Sequence, residues 1–213
     1  MRGRLEALGR RFARFATDAV VARPRLWRLF RRPVRTQFDR LAPSWEARRG
    51  PESLISLGAA LDRLDAAPRR ILDVGTGTGV AARVLARRFP EAEVVGVDLA
   101  PAMVEEARRL VPGELVGRIA FETADATALP FAAGAFELIV LLNAIPFFEE
   151  LSRVTAPGGA IVFAFSSGAA TPIFVPYETL RTRLEPLGFD RFEELAAGGG
   201  TAVVAYRATR ALT

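Results

Sequence analysis

The stretch "ILDVGTGTGVAARVL" at residues 71–85 constrains this chain more than any other. It starts as a short apolar run of the kind that makes a fully buried strand. It then breaks into glycine at every second position and resumes with apolar residues at helical spacing. A strand that turns directly into a helix belongs to a parallel sheet. The turn lies at the sheet's carboxyl edge, where the first helical N–H groups lack intrahelical partners. Glycines there permit positive φ and let a ligand come close to the backbone. The junction therefore reads as a binding surface.

The rest of the body repeats this grammar. Apolar strands are expected at 70–74, 93–97, 118–122, 136–142 and 160–165, with helices between them, notably at 79–89 and 101–110. Such alternation implies right-handed crossovers and a mostly parallel, doubly wound α/β sheet covered on both faces. The tail changes pattern. A helix at 177–187 is followed by strands near 189–196 and 201–207, separated by "GGG", so these two must pair as an antiparallel hairpin. The sum is a seven-stranded sheet. The uncharged run 154–177 is long enough to span a bilayer, but Pro157, Gly158, Gly159, Gly168, Pro172 and Pro176 break it into loop, strand and loop.

Spacing narrows the ligand. Gly75, Gly77 and Gly79 form G-x-G-x-G, and Val80 stands where a dinucleotide fingerprint has its third glycine. Asp73, two residues ahead of the first glycine, would repel a pyrophosphate but suits a cationic or amine-bearing ligand. No G-K-[ST] follows, which excludes a phosphate-gripping loop. Asp98 ends the second strand, where a carboxylate accepts both ribose hydroxyls. Asp125 follows the third strand, where it would accept from an exocyclic adenine amine. Each aspartate alone could be a helix cap or turn residue. In this order at successive strand ends they favour a nucleoside.

Composition removes whole classes of chemistry. With no cysteine there is no disulfide, thiolate metal site or thiol nucleophile. Without histidine the commonest general base and metal ligand are both missing, and no metal site is expected. All 29 basic residues are arginine, which excludes lysine Schiff-base chemistry. Their placement is uneven: residues 1–49 hold 14 arginines against four acids, while the remainder is net acidic.

The motifs "ILDVGTGTG", "VVGVDLAPAMVEEAR", "ETADATALPF", "FELIVLLNAIPFF" and "LSRVTAPGGAIVF" resemble those of class I S-adenosylmethionine-dependent methyltransferases, in the branch that includes ubiquinone and menaquinone biosynthesis enzymes. "QFDRLAPSWE" at 37–46 is similar to the segment preceding the core in that branch. The resemblance implies a Rossmann-like methyltransferase fold with S-adenosylmethionine as cofactor. Gly75, Thr76, Gly77 and Gly79 would wrap the methionine moiety, with Asp73 near its amine. Asp98 would hold the ribose, Leu99 and Met103 would flank the adenine, and Asp125 with the Ala126 N–H would meet its edge. Asn143 would contact the methionine portion or simply end a strand. Two departures stand out. Ala100 replaces a usual serine cap, and only "AIPFFEELSRVTA" separates Asn143 from the Pro-Gly-Gly turn, a shortened lid.

Two domains are expected, an arm and lid at 1–49 and the cofactor-binding domain at 50–213. The acceptor pocket should lie between the fourth and fifth strand tips and the arm, lined by Trp45, Ile145, Phe147, Phe148, Ile173, Phe174 and Tyr177, which suits a small, largely apolar, lipid-like or quinone-like acceptor. Asp39, Glu149, Glu150 and Tyr177 are candidate bases, and none is assigned as catalytic. The alternative is a catalytically silent nucleoside-fold module. In the arm, Leu5, Leu8, Phe12, Phe15 and Ala19 share one helical face, Pro24 breaks that helix, and a second stretch should end at Pro33. Three roles are open to residues 1–35: peripheral contact with an anionic membrane, contact with nucleic acid, or packing over the protein's own cofactor site. Nucleic acid is disfavoured because the body has no second basic patch. The composition fits a cytoplasmic protein, with a mitochondrial transit segment as an alternative; oligomeric state is left open.

Overall fold

A computed structural model of the chain describes residues 2–48 and 50–209. The described side chains begin at residue 9, so Leu5 and Leu8 of the expected arm face lie outside them. One seven-stranded sheet organises the body. Its strands are β1 (Arg70–Val74), β2 (Glu93–Asp98), β3 (Ile119–Thr123), β4 (Phe136–Leu142), β5 (Thr155–Phe165), β6 (Phe189–Ala197) and β7 (Gly200–Arg207). Their spatial order is β3-β2-β1-β4-β5-β7-β6, with β1 to β5 parallel and β7 antiparallel to both neighbours. The expected hairpin forms, but its second strand is the inner one. The burial explains this: β7 is covered along nearly its whole length, whereas β6 keeps Asp190, Arg191 and Glu194 exposed. Charge on the outer strand discourages edge-to-edge pairing with another sheet.

Alternation along each strand feeds two cores. Ile71, Leu138, Val140, Val162 and Val204 point to one face, which is covered by α3 (Ile55–Leu61), α4 (Val80–Arg88) and α5 (Pro101–Arg109). Leu72, Ile139, Leu141, Ile161, Phe163 and Val203 point to the other, under α6 (Phe148–Val154) and α7 (Tyr177–Leu184). The period of two, with both faces apolar, is what a doubly wound sheet requires. Strand β5 begins five residues earlier than expected. Thr155 pairs with Phe136, the register then slips across the Pro-Gly-Gly turn, and regular pairing resumes at Ala160.

The arm is a helical hairpin, α1 (Arg2–Ala22) and α2 (Trp27–Leu41), joined by a 3-10 turn at Pro24–Leu26. One expectation about it is corrected. Pro33 does not end the second stretch; α2 runs through it to Leu41. The proline removes the N–H that would bond to the carbonyl of Leu29. Both residues are exposed, so water can satisfy that carbonyl. The Phe12-Phe15-Ala19 face is only partly covered. The buried face of α1 is Ala16, Thr17 and Val20, while Phe15 is 64% exposed. Small side chains let the helix axis come close to the body, and the rings are left on the rim.

Candidate cofactor site at the carboxyl edge

Because β1, β2 and β3 are sheet neighbours, the residues at and just past their carboxyl ends share one rim. Asp73, near the end of β1, is 1% exposed. Its Oδ2 accepts from Thr76 Oγ1 at 2.6 Å and from the Ala82 N–H at 3.1 Å. Ala82 is in the first turn of α4, so this carboxylate anchors the loop and offsets the positive end of the helix. Gly75, Gly77 and Gly79 all take positive φ, as the motif implied. Gly79, in the left-handed region at the start of α4, has a packing reason as well: a Cβ there would meet the Phe121 ring at 2.6 Å.

The Asp98 carboxylate bridges two loops. Its Oδ2 accepts from the Gly77 N–H and its Oδ1 from the Ala100 N–H, each at 2.9 Å. Burial pushes the Asp98 carboxyl above the ordinary aspartate value, and nearby Asp39 adds to this, while the amides of Ala100, Gly77 and Leu99 pull it back. Asp125 Oδ1 accepts from the Thr127 N–H at 3.0 Å and its hydroxyl at 2.8 Å. It also accepts from the Trp27 Nε1–H of the arm at 2.9 Å. The guanidinium of Arg31 stands 3.9 Å from Oδ2. Asp125 thus already takes a donor carried on a flat heteroaromatic ring, the chemistry an adenine amine would need.

The arm closes this rim at four points. Trp27 packs edge-on to Phe147 with ring centroids 5.3 Å apart, in a cluster that includes Leu99, Ala126 and Ile145. Asp39 Oδ1 accepts from the Ala102 N–H at 3.1 Å, so α5 is capped from α2 where its own N-cap, Ala100, has no capping side chain. Trp45 lies over Gly77, its Nε1 3.4 Å from where a Cβ would sit, and packs on Phe38 in the cluster holding Ala100 and fully buried Met103. Glu46 accepts from Thr78 Oγ1 at 2.7 Å and pairs with Arg83 at 2.9 Å. Through these contacts the arm lies against the body's rim. Trp27 was missed by the sequence reading; an indole 98 residues from its partner leaves no local signal.

The remaining expected residues separate. Asn143 has φ of 54° and exchanges two 2.9 Å bonds with Ser166, tying the β4 tip to the β5 tip. Phe147 faces the arm, but Phe148, expected at the acceptor pocket, is 1% exposed and packs in the core beneath it against Phe163. It opens α6, and its neighbour's ring points the other way. Phe174 stacks edge-on with Phe165 in the loop before α7, and Tyr177 packs against the same core. Among the base candidates, Glu150 is held below the ordinary glutamate range by its bond to Arg153, and its Oε1 also accepts the Leu129 N–H. Glu149 is exposed beside Arg183 at 3.3 Å. Among the described residues no cluster could hold a metal ion, and no helix is long and apolar enough to cross a membrane.

Residues 71–159 match the family described as "Methyltransferase domain". Over 143 residues the chain is 42% identical to the malonyl-[acyl-carrier protein] O-methyltransferase of Halorhodospira halophila, an alignment covering 63% of this chain and 48% of that protein. Over 140 residues it is 41% identical to the demethylmenaquinone methyltransferase of Thermus thermophilus, covering 59% of this chain and 62% of that protein. The chain therefore spans about half to three-fifths of these relatives. Among solved structures, a SAM-dependent methyltransferase from Aquifex aeolicus superposes with a TM-score of 0.60 at 18% identity, over 81% of this chain and 97% of that one, which speaks for the fold. Motif order, sheet order and these matches agree: residues 71–159 form a methyltransferase domain on a Rossmann-like sheet, similar to those of class I S-adenosylmethionine-dependent methyltransferases.

Proposed function

We propose that the chain transfers a methyl group from S-adenosylmethionine to a small, largely apolar acceptor. One observation carries the reading: adjacent strands bring Asp73, Asp98 and Asp125 to a single rim, and an aromatic arm covers it. When bound, the cofactor supplies an electrophilic methyl on a sulfonium. The chain's own work is binding, alignment and exclusion of water. Asp98 would hold the ribose hydroxyls; a carboxylate has about four lone-pair sites, and two amides fill only half of them. Asp125 would meet the adenine amine, with Leu99, Met103 and Ala126 beside the ring. Gly77, whose outer face meets only Trp45, lets the loop approach the methionine portion.

Among the described residues none of the three carboxylate candidates stands ready as a base. Glu150 is neutralised by Arg153, Glu149 is exposed, and Asp39 is spent on the α5 cap. This supports an acceptor atom that is already nucleophilic or readily ionised. The two relatives bear names that assign them a malonyl-carrier and a demethylmenaquinone acceptor. The wall of Trp27, Phe147 and Ile145 supports the lipid-like or quinone-like class. Arm aromatics seated on the rim favour one rival, a silent nucleoside-fold module.

Calorimetric titration with S-adenosylmethionine, its demethylated product and NADH tests cofactor choice. Binding of the first two with none of NADH is expected, and NADH binding would sink the reading. Labelled methyl transfer into a lipid extract then separates enzyme from silent module.

A further inference from the structure

The arm's inner face closes the rim, and its outer face has no partner among the described residues. Phe12 and Phe15 pack on Phe30 with ring centroids 6.1 and 6.0 Å away, holding the two helices together. Yet Phe15 stays 64% exposed and Leu29 69% exposed; both are among the few large apolar side chains so exposed in the described residues. Leu29 and Pro33, about one helical turn apart on α2, are both exposed and make a short apolar strip, with Leu26 just ahead of it on the 3-10 turn. Arginines frame it. Arg25, Arg28 and Arg32 are exposed and have no carboxylate partner among the described residues, and Asp18 is the one exposed acid between residues 9 and 41. A groove of about 450 Å³ between α1 and the 170–172 loop is lined by Arg10, Arg11, Arg14, Phe15 and Asp18.

This surface is also held in place. Arg14 donates to the carbonyls of Ala169, Thr171 and Phe174, Arg10 to that of Ala170, and Arg183 to that of Val21. The body fixes α1 from one side, so the apolar strip and its guanidinium frame stay turned outward.

We infer that the outer face of the α1–α2 hairpin docks on an anionic lipid bilayer, with Phe15 and Leu29 entering the acyl boundary and the arginines meeting lipid phosphates. Charge complementarity chooses the occupant. Unpaired guanidinium groups around exposed apolar side chains match an interface that is negative at its surface and apolar just beneath. Nucleic acid offers the negative charge but nothing apolar for Leu29 to enter. The inference rests on the apolar-acceptor reading of the site and deepens it: a hairpin that roofs the cofactor rim while lying on a bilayer would bring that rim to a membrane-borne acceptor.

The test is co-sedimentation of the full chain with vesicles of equal parts phosphatidylglycerol and phosphatidylcholine, and with pure phosphatidylcholine. The expected result is at least tenfold stronger partitioning onto the anionic vesicles, reduced but not abolished at 0.5 M salt. Replacing the two exposed side chains (F15S with L29S) should cut partitioning about tenfold, and L29S, whose side chain is 69% exposed and makes no ring contact, should lower it without moving the melting temperature. Reversing charge at Arg28→Glu and Arg32→Glu should remove the preference for anionic lipid. Equal binding to both vesicles, or an F15S/L29S protein that sediments like the parent, would overturn the inference. So would vesicle binding displaced completely by duplex DNA or by an acidic carrier protein. Cofactor titration of the same preparations keeps the two readings apart: retained S-adenosylmethionine binding with no sedimentation defeats membrane docking alone.

Discussion

The loop after β1 and the hairpin that covers it make the same rim by opposite means. The loop works through backbone: three glycines at positive φ, and carboxylates that bind amides a few residues away or on the next strand. The arm works through side chains, an indole, a carboxylate and a glutamate that each reach a partner more than 30 residues distant. Backbone geometry is set by local residue choice and resists change. Side-chain docking is a sum of small, separable contacts. The body should therefore fail by unfolding and the arm by loosening.

The largest effect expected is on the loop. Gly79→Ala would force a Cβ into the left-handed region and against the buried Phe121 ring. Strain and overpacking together should cost about 2–4 kcal/mol, read as a lower midpoint in urea unfolding. A stability within about 0.5 kcal/mol of the parent would show that backbone conformation does not determine the loop.

Next comes the carboxylate joining two loops. Asp98→Asn should weaken S-adenosylmethionine binding by about 1.5–3 kcal/mol, the scale of a hydrogen bond to a charged group. The pH dependence follows from the raised Asp98 value. Burial disfavours the ionised form, so this group's contribution to stability is full below the ordinary aspartate pKa and is lost as pH rises through the raised value. Hydroxyl donors favour the ionised form, so cofactor affinity should rise over that same interval. Calorimetry across the acidic range checks this, and a parent protein as pH-independent as Asp98→Asn would remove the carboxylate from ligand binding.

The arm's contacts are smaller. Trp27→Phe keeps the ring and deletes the N–H to Asp125. About 1–2 kcal/mol of docking should be lost, seen as roughly five- to thirtyfold faster tryptic cleavage within α1 and α2 while the body resists. Uniform acceleration throughout the chain would mean that arm and body unfold together, erasing the distinction.

Smallest is the borrowed cap. Asp39→Ala should cost about 1 kcal/mol, as other N-cap losses do. Adding Ala100→Ser supplies a cap at the N-cap position of α5 itself and should restore most of it. Failure of that rescue would show that Asp39 acts through the arm rather than on the helix end.

Residue type and order alone determined the strand-helix alternation, the terminal hairpin, the glycine turn and the sequence of aspartates at strand ends. Each depends on spacing along the chain or on what a glycine or buried apolar run permits locally. Folding in three dimensions decided the rest: β7 lies inside β6, α2 continues through Pro33, Phe147 and Phe148 face opposite ways, and Trp27 reaches Asp125. These outcomes depend on which surfaces meet. A contact between residues far apart in sequence is selected by the summed burial and hydrogen bonding of whole elements, and no short stretch of residues encodes that sum.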